Sequence, residues 1–543
     1  MNILIIGGVA AGTKVAAKLK RDNYNHNVKL LTKGKDISYA GCGLPYYVGN
    51  VIEKEEDLIV NTPEKFSKLT GVEVLTEVEV TKVNPEEKTV EALDLKTNET
   101  STYSYDKLVI ATGADPIKPP IEGIDLEGVY FMRTPEHAIQ LRKAVESGEI
   151  KRVVVVGGGF IGLEIAENLK AQGLNVCVID MADQILPGFE PEIANYVEDR
   201  LADEGIVVFT ETGLEAIIGD GKVEKVKTNK RTMKADAVVL SIGIRPNTGF
   251  LADSGIELTP KGAVQVNKKL ETNIEDIYAV GDCAFVTNLI TGKGAYAPMG
   301  STANIEGRIL AQNINGESLT YEGATGTAVV KLPGINAGKT GLTEEAARKE
   351  GYDVVTVTIT ADDKAHYYPD SAPFIIKLIA DKSTKKLLGL QVVGQGNVDK
   401  VVDMAVMAIG LDAKLDDIQN LDYAYAPPFS TAIHPFAVAV NALLNKIDGN
   451  LVSITPREYA QGKAEGYKII DASLAPSIKG APYVDIAKVH GELPEIDKGE
   501  KLLLVCDKGK RAYMLQQRLR NFGYTNTLVL EGGRIFTEVE VEA

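Results

Sequence analysis

Tryptophan is absent from the 543 residues, and only four cysteines and five histidines occur. The cysteines (Cys42, Cys177, Cys283, Cys506) lie far apart, with no CxxC or CxxxxC spacing. This excludes a zinc site or a disulfide scaffold, fits a reducing, cytoplasmic setting, and leaves single thiols to act alone. No apolar run approaches the ~18–20 residues of a membrane span, so no membrane partner is expected. Positive charge is in deficit, with 59 Lys+Arg against 75 Asp+Glu and a net charge of −16. So acidic a surface repels phosphate backbones, and nucleic acid is not expected as a partner. At 44% apolar and 25% charged the chain is globular in composition, and it carries no low-complexity tract or short repeat.

The start, Met1-Asn2-Ile3-Leu4-Ile5-Ile6-Gly7-Gly8, has no basic n-region and reads as a first strand, not a signal peptide. Two short apolar strands run into glycine loops and then helical patterns. The first is Ile3 to Ile6 with Gly7-Gly8-Val9-Ala10-Ala11-Gly12; the second is Val153 to Val156 with Gly157-Gly158-Gly159-Phe160-Ile161-Gly162. Two such starts predict two nucleotide-binding modules of the doubly wound α/β type. From about 323 to 445 the texture changes to an α+β pattern. Strand-like runs (Val354 to Ile359, Phe374 to Ile379, Leu387 to Val393) precede an apolar helix, Val401 to Ile409. From 451 onward 13 basic and 13 acidic residues balance, so the whole negative charge belongs to 1–450. A domain boundary is placed near 450.

In the second loop Gly157, Gly159 and Gly162 complete the dinucleotide fingerprint: one for the turn, one for close approach to a pyrophosphate, one for helix–strand packing. The helix N-terminus then offers unpaired N–H groups to phosphate. The next strand, Asn175 to Ile179, ends at Asp180, whose carboxylate accepts from a ribose 2′-OH and repels a 2′-phosphate. NADH is therefore expected over NADPH; the alternative for Asp180 is a surface turn. The first loop has Val9 in the middle glycine position, and Thr32 where an acidic residue ends the next strand.

Further elements are Tyr105-Asp106-Lys107-Leu108-Val109-Ile110-Ala111-Thr112-Gly113, Ser241-Ile242-Gly243-Ile244-Arg245-Pro246-Asn247 and Asp276-Ile277-Tyr278-Ala279-Val280-Gly281-Asp282. With these the chain resembles the pyridine nucleotide–disulfide oxidoreductases, flavoproteins with two dinucleotide-binding domains. The resemblance implies FAD in the first module, with Asp282 on its ribitol chain. Gly7, Gly8, Ala11, Gly12, Thr32, Lys33, Val80, Ala111, Thr112, Gly113, Gly281 and Pro298 are the other FAD candidates. It implies NAD(P)H at Gly157, Gly159, Phe160, Ile161, Gly162, Asp180 and Gly243, with Glu164 and Phe160 near nicotinamide and flavin.

The segment Ser38-Tyr39-Ala40-Gly41-Cys42-Gly43-Leu44-Pro45-Tyr46 reads as the start of a helix, because Pro45 suits a first turn. Cys42 at its N-terminus is predicted to have a lowered pKa and a high thiolate fraction; a structural cysteine is the alternative. Cys177 and Cys283 read as packing. A lone thiolate beside a flavin either becomes a sulfenic acid or forms a mixed disulfide. The motif is similar to the single-cysteine branch of the family. Its peroxidases and oxidases carry a histidine in the first glycine loop, where this chain has Ala10, which favours disulfide chemistry.

His366-Tyr367-Tyr368-Pro369 and Tyr423-Ala424-Tyr425-Ala426-Pro427-Pro428-Phe429 resemble coenzyme A-disulfide reductases. In that family a tyrosine from each segment reaches the cysteine of the opposite subunit, which implies a homodimer with shared sites. Tyr425, and either Tyr367 or Tyr368, are candidates to protonate a leaving thiolate; interface packing is the alternative. Lys18, Arg21 and Ser38 are substrate candidates for coenzyme A, the two basic residues alternatively forming a solvated helix face. Gly41 replaces the usual asparagine, and Ile433-His434 replace a lysine–aspartate pair, so a smaller persulfide or polysulfide is also expected as substrate.

At the C-terminus the strand Leu502 to Val505 leads into Cys506-Asp507-Lys508-Gly509-Lys510-Arg511 and a helix. This CxxGxR loop resembles rhodanese domains, which implies a persulfide on Cys506 cradled by N–H groups and Arg511. Lys468-Ile469-Ile470-Asp471 resembles that family's first core strand, with Ala472-Ser473 and Phe536 departing from its pattern. An inactive docking domain is the alternative.

The predicted architecture is thus two Rossmann-like modules, an α+β dimerisation domain and a rhodanese-like α/β domain. The bounds are 1–115 with 248–322 for FAD, 116–247 for NAD(H), 323–450 for the interface and 451–543 for the rhodanese-like module. The expected activity is reduction of S–S bonds in coenzyme A disulfide, coenzyme A persulfide or polysulfide. An NADH oxidase or peroxidase, and a redox-sensing interaction protein with structural FAD, are the alternatives.

Overall fold

Ile3, Leu4, Ile5 and Ile6 are all buried, the pattern of a strand covered on both faces in a parallel sheet. The computed structural model describes residues 1–541. They form two compact units: Met1–Ile185 with Gly205–Ala324, and Leu186–Glu204 with the chain from Thr325 on. No described helix is long and apolar enough to cross a membrane.

The first unit holds two five-stranded parallel sheets. One runs in the order Ile277–Ala279, Lys107–Ile110, Asn2–Ile6, Asn27–Thr32, Glu73–Thr76. The other runs Val207–Phe209, Asn175–Ile179, Arg152–Val156, Ala237–Leu240, Val129–Phe131. Both registers align the strand ends: Ile6 pairs with Leu31 and Ile110, and Val156 with Ile179 and Leu240. The loops therefore gather at the carboxyl ends, where doubly wound sheets bind ligands. Helices α1 (Ala10–Asp22), α2 (Leu44–Val48) and α3 (Phe160–Ala171) belong to this unit. Pro45 sits in the first turn of α2.

The second unit has an antiparallel sheet in the order Ala328–Leu332, Ile335–Gly341, Leu387–Gly394, Pro373–Asp381, Val354–Asp362. The helices Val398–Gly410 and Pro435–Ile447 pack on it. Lys377, on a central strand, is wholly buried, with Glu192 at 2.6 Å and Glu190 and Glu344 at 3.4 Å. These pairs explain why 186–204, read from the sequence within the second nucleotide module, groups with this sheet.

The C-terminal module has four parallel strands, ordered Ser453–Ile454, Thr527–Leu530, Leu502–Val505, Lys468–Asp471, with helix α4 (Lys510–Asn521) beside them. Glu531 accepts from Thr358 N–H at 2.8 Å, on the edge strand of the antiparallel sheet, and from Lys446 and Ser453 at 2.5 and 2.6 Å.

Candidate active site

Both glycine loops make the same turn. Gly7 and Gly157 each have φ +110°, and a Cβ there would lie 2.0 Å from Ala111 O and 2.3 Å from Ser241 O respectively. The backbones of the loop and the neighbouring strand end thus meet where only glycine allows it. A Cβ on Gly159 would meet nothing within 4 Å, so this residue keeps space open at the N-terminus of α3. Val9 stands at the equivalent place before α1. Neither helix has a side-chain cap, which leaves first-turn N–H groups for an anion. Asp180 accepts from Gly158 N–H at 2.7 Å and Ala182 N–H at 2.8 Å, at the end of its strand. Across the central strand from Asp180, next to Gly157, the buried Ser241 Oγ has no hydrogen-bond partner among the described residues.

In the first module Thr32 is buried at the position matching Asp180, Lys33 pairs with Glu79 at 2.9 Å, and Val80 is buried. Thr112 Oγ1 donates to Asn247 O at 2.7 Å, Gly113 has φ +67°, and Pro298 precedes the helix Gly300–Ile314. Asp282 receives Arg133 Nη2 at 2.7 Å. Gly281, just before it, gives its N–H to the buried carboxyl of Glu306 at 2.6 Å.

Cys42 is exposed within a tight turn, Gly41–Gly43, that leads into α2. The pKa of Cys42 is raised, opposite to the lowering that a helix N-terminus predicts. Burial of the sulfur's inner side raises its pKa, and the charges of Glu164 and Asp282 raise it further, while Arg133 opposes them. Helix α2 has only five residues, too short for its dipole to offset these effects. Tyr46 O–H donates to Glu164 Oε1 at 3.0 Å. Burial lifts the Glu164 pKa to about 7, with the Tyr46 bond lowering it and Glu167 raising it. Cys177 is half-buried in its strand and Cys283 fully buried, and burial pushes each thiol up to about 11, as packing cysteines require.

Ser38 takes φ +48° and gives its N–H to Gly8 O at 2.9 Å, between the first glycine loop and Cys42. Lys18 is paired with Asp22 at 2.5 Å, and Arg21 is exposed. In the second unit the exposed hydroxyls of Tyr367 and Tyr425 lie 3.2 Å apart, which joins the two tyrosine segments through Tyr367; Tyr368 is exposed beside it. His434 is buried, accepts Phe436 N–H and caps the helix Pro435–Ile447, with burial and Lys400 lowering its pKa to about 4. Ile433 is exposed.

Cys506 is buried, and Ala512 N–H of α4 points at its sulfur at 3.4 Å. Gly509, with φ +81°, turns the chain into the helix. Arg511 does not aim all its donors at the loop: Nε donates to Ala472 O at 3.0 Å. Lys508 is ion-paired with Asp362.

Tyr46, Arg133, Glu306 and Asp362 were not singled out from sequence. Each is defined by a partner distant along the chain, and only Tyr46, within the Leu-Pro-Tyr motif, carried a local signal.

Three comparisons bear on this arrangement. Residues 1–304 match the family described as pyridine nucleotide-disulphide oxidoreductase, 327–437 its dimerisation domain, and 440–534 the rhodanese-like domain. The chain is similar to a Methanocaldococcus jannaschii protein named NADH oxidase, 36% identical over 82% of this chain and 99% of that one. It is similar to the NAD(P)H coenzyme A polysulfide/persulfide reductase of Pyrococcus horikoshii, also 36% identical, over 81% and 98%. A solved NAD-dependent persulfide reductase from A. fulgidus aligns with TM-score 0.93 at 35% identity, covering 99% of this chain and 100% of that one.

Proposed function

The chain belongs to the pyridine nucleotide-disulphide oxidoreductase family, and from that premise we propose that it reduces S–S bonds of coenzyme A disulfide, coenzyme A persulfide or polysulfide at Cys42. The family works with FAD and NAD(P)H, and the residues present fit both. Uncapped helix starts and strand ends closed against Gly7 and Gly157 suit two pyrophosphates. The open space at Gly159, the carboxylate of Asp180 and the unpartnered hydroxyl of Ser241 suit a nicotinamide dinucleotide without a 2′-phosphate. Thr112, Gly281 and Asp282 with Arg133 stand ready for the flavin nucleotide.

The observation that carries the reading is Cys42 itself: an exposed free thiol with no second cysteine in its sequence motif, on a segment packed against the helix of the other nucleotide loop. Bound FAD supplies hydride acceptance from NAD(P)H and onward transfer of an electron pair. The Cys42 thiolate attacks one sulfur of the substrate, forming a mixed disulfide as a thiol or hydrosulfide leaves. Hydroxyls of Tyr367 and Tyr425, from the partner subunit in a homodimer, protonate the departing sulfur. Two electrons and a proton then release the second thiol and restore Cys42. Overall, one S–S bond, one NAD(P)H and one proton give two S–H groups and NAD(P)⁺. Lys18, Arg21 and Ser38 are the candidates to receive coenzyme A, Lys18 on release of its pair with Asp22.

Cys506 is the sulfur carrier, accepting sulfane sulfur and handing it to Cys42. Support comes from the extent of the likeness to the A. fulgidus reductase, which includes this module, whereas the two archaeal relatives cover about four-fifths of the chain. The oxidase reading is favoured by the M. jannaschii relative's name and opposed by Ala10.

The deciding experiment is anaerobic NADH oxidation against coenzyme A disulfide, coenzyme A persulfide, glutathione persulfide and polysulfide. Turnover with at least one is expected. Consumption only with oxygen or peroxide supports the oxidase, and silence with all of them, together with a stable protein partner, supports the sensor. Cys506→Ser is expected to spare disulfide reduction and impair persulfide turnover; equal loss of both removes the relay.

A further inference from the structure

The outer strand of the antiparallel sheet, Val354–Asp362, gives three alternate residues to the C-terminal module. Alternate residues of a strand share a face. Thr358 N–H donates to the Glu531 carboxylate at 2.8 Å, Thr360 Oγ1 donates to Gly532 O at 2.6 Å, and Asp362 takes the Lys508 ammonium. The first two contacts hold the turn after the Thr527–Leu530 strand, and the third enters the Cys506–Arg511 loop itself. That turn also pins the loop. Arg534 and Ile535 N–H donate to Cys506 O and Asp507 O, both at 3.0 Å, and a Cβ on Gly533 would lie 2.3 Å from Cys506 O. The Lys508–Asp362 pair thus sits between two fixed backbones, with the ammonium turned toward the sheet.

The other charges of the loop divide accordingly. Asp507 is matched by Arg534 at 3.6 Å, as Lys508 is by Asp362. Lys510 is exposed and Arg511 gives Nε to Ala472 O, and among the described residues neither has a carboxylate partner. Two loop cations, not three, are therefore left to meet an anion. Cys506 is buried, so only the sulfur end of a donor reaches it, and the charge on that end governs the encounter.

We propose that Asp362, a residue outside the C-terminal module, sets which sulfur donor Cys506 accepts. By holding and neutralising Lys508 it shifts the preference toward a singly charged sulfur end, R–S–S⁻, and away from a doubly charged donor such as thiosulfate. The proposal rests on reading Cys506 as the sulfur carrier. With either donor the Cys506 thiolate bonds to the outer sulfur and the donor's S–S bond breaks, its electron pair leaving on the thiolate R–S⁻ or on sulfite. Cys506 ends as a persulfide anion, with no net oxidation or reduction. Asp362 alters the field that a donor meets, not the bonds made.

The test is the rate of Cys506 loading in the full-length, FAD-loaded chain without NADH, from thiosulfate and from 2-hydroxyethyl persulfide, whose body is uncharged. Loading is read as the added sulfur on the alkylated Cys506 peptide by mass spectrometry. Asp362→Asn frees the third cation and is expected to raise the thiosulfate rate, relative to the persulfide rate, by about tenfold or more. Lys508→Gln leaves the carboxylate uncompensated and is expected to move the ratio the other way. The double variant restores the net charge and is expected to return the ratio to that of the unsubstituted protein, which loss of a merely structural contact would not do. At about 1 M salt, where screening acts within about 3 Å, these differences are expected to shrink. An unchanged ratio in Asp362→Asn, or both single variants moving it in the same direction, overturns the proposal and leaves Cys506 as carrier. Absence of loading from both donors in the unsubstituted protein removes the carrier reading and the proposal together.

Discussion

Glu306 is a carboxyl almost wholly removed from water, accepting the N–H of Gly281 just before Asp282. Burial lifts its pKa to about 8, the Gly281 bond opposing and the charge of Asp282 adding to the rise. Its folded pKa lies above its unfolded value, so the folded chain binds the extra proton across the interval between them. The stability this confers is complete at low pH and is lost as pH rises through about 8. Glu306→Gln, which keeps an acceptor and cannot ionise, is expected to flatten the dependence of Tm on pH over that window. An equal slope in both proteins counts against the buried carboxyl. At Cys42 a different outcome is expected. The side chain is exposed, so Cys42→Ser leaves Tm and flavin content unchanged while S–S reduction falls by about 10³-fold or more, measured as anaerobic NADH oxidation.

At the level of elements, the two strand–loop–helix starts were legible because everything they need lies within about ten consecutive residues: buried aliphatics, glycines at close approaches, then a helix. The Leu502–Val505 strand with Gly509 and α4 was legible for the same reason. Arg133 with Asp282 and Tyr46 with Glu164 were not, since those pairs join positions 149 and 118 residues apart. The thiol's pKa direction was misread for a related reason. A helix start is visible in sequence, but its length of five residues and the carboxylates folded against it are not. The second glycine loop separates turn geometry from ligand space. Gly157→Ala forces a Cβ onto Ser241 O at φ +110°, so it is expected to destabilise the fold and abolish NADH use. Gly159→Ala enters open space at φ −78°, so Tm holds while KM for NADH rises by about tenfold or more, as seen by steady-state kinetics.

For the whole molecule, charge and packing divide the chain differently. The negative excess lies in 1–450, and the balanced C-terminal module carries no repulsion of its own toward an anionic sulfur species. Yet it is joined to the antiparallel sheet within the second unit by a buried carboxylate. Glu531 pairs with Lys446, accepts from Ser453 and Thr358, and the neighbouring Gly532 O accepts from Thr360 at 2.6 Å on the same edge strand. Edge strands expose unpaired backbone groups that invite association, and this contact covers one. Glu531→Ala would leave the Lys446 ammonium and the Thr358 N–H without their acceptor, a loss of about 3–5 kcal/mol for a buried pair broken on one side. Adding Lys446→Met should recover part of it by removing the stranded cation, a coupling that surface pairs do not display. With no tryptophan to report, unfolding is followed by circular dichroism in denaturant. A Glu531→Ala midpoint within the range of ordinary surface substitutions would mean that the module is held by its apolar contacts alone.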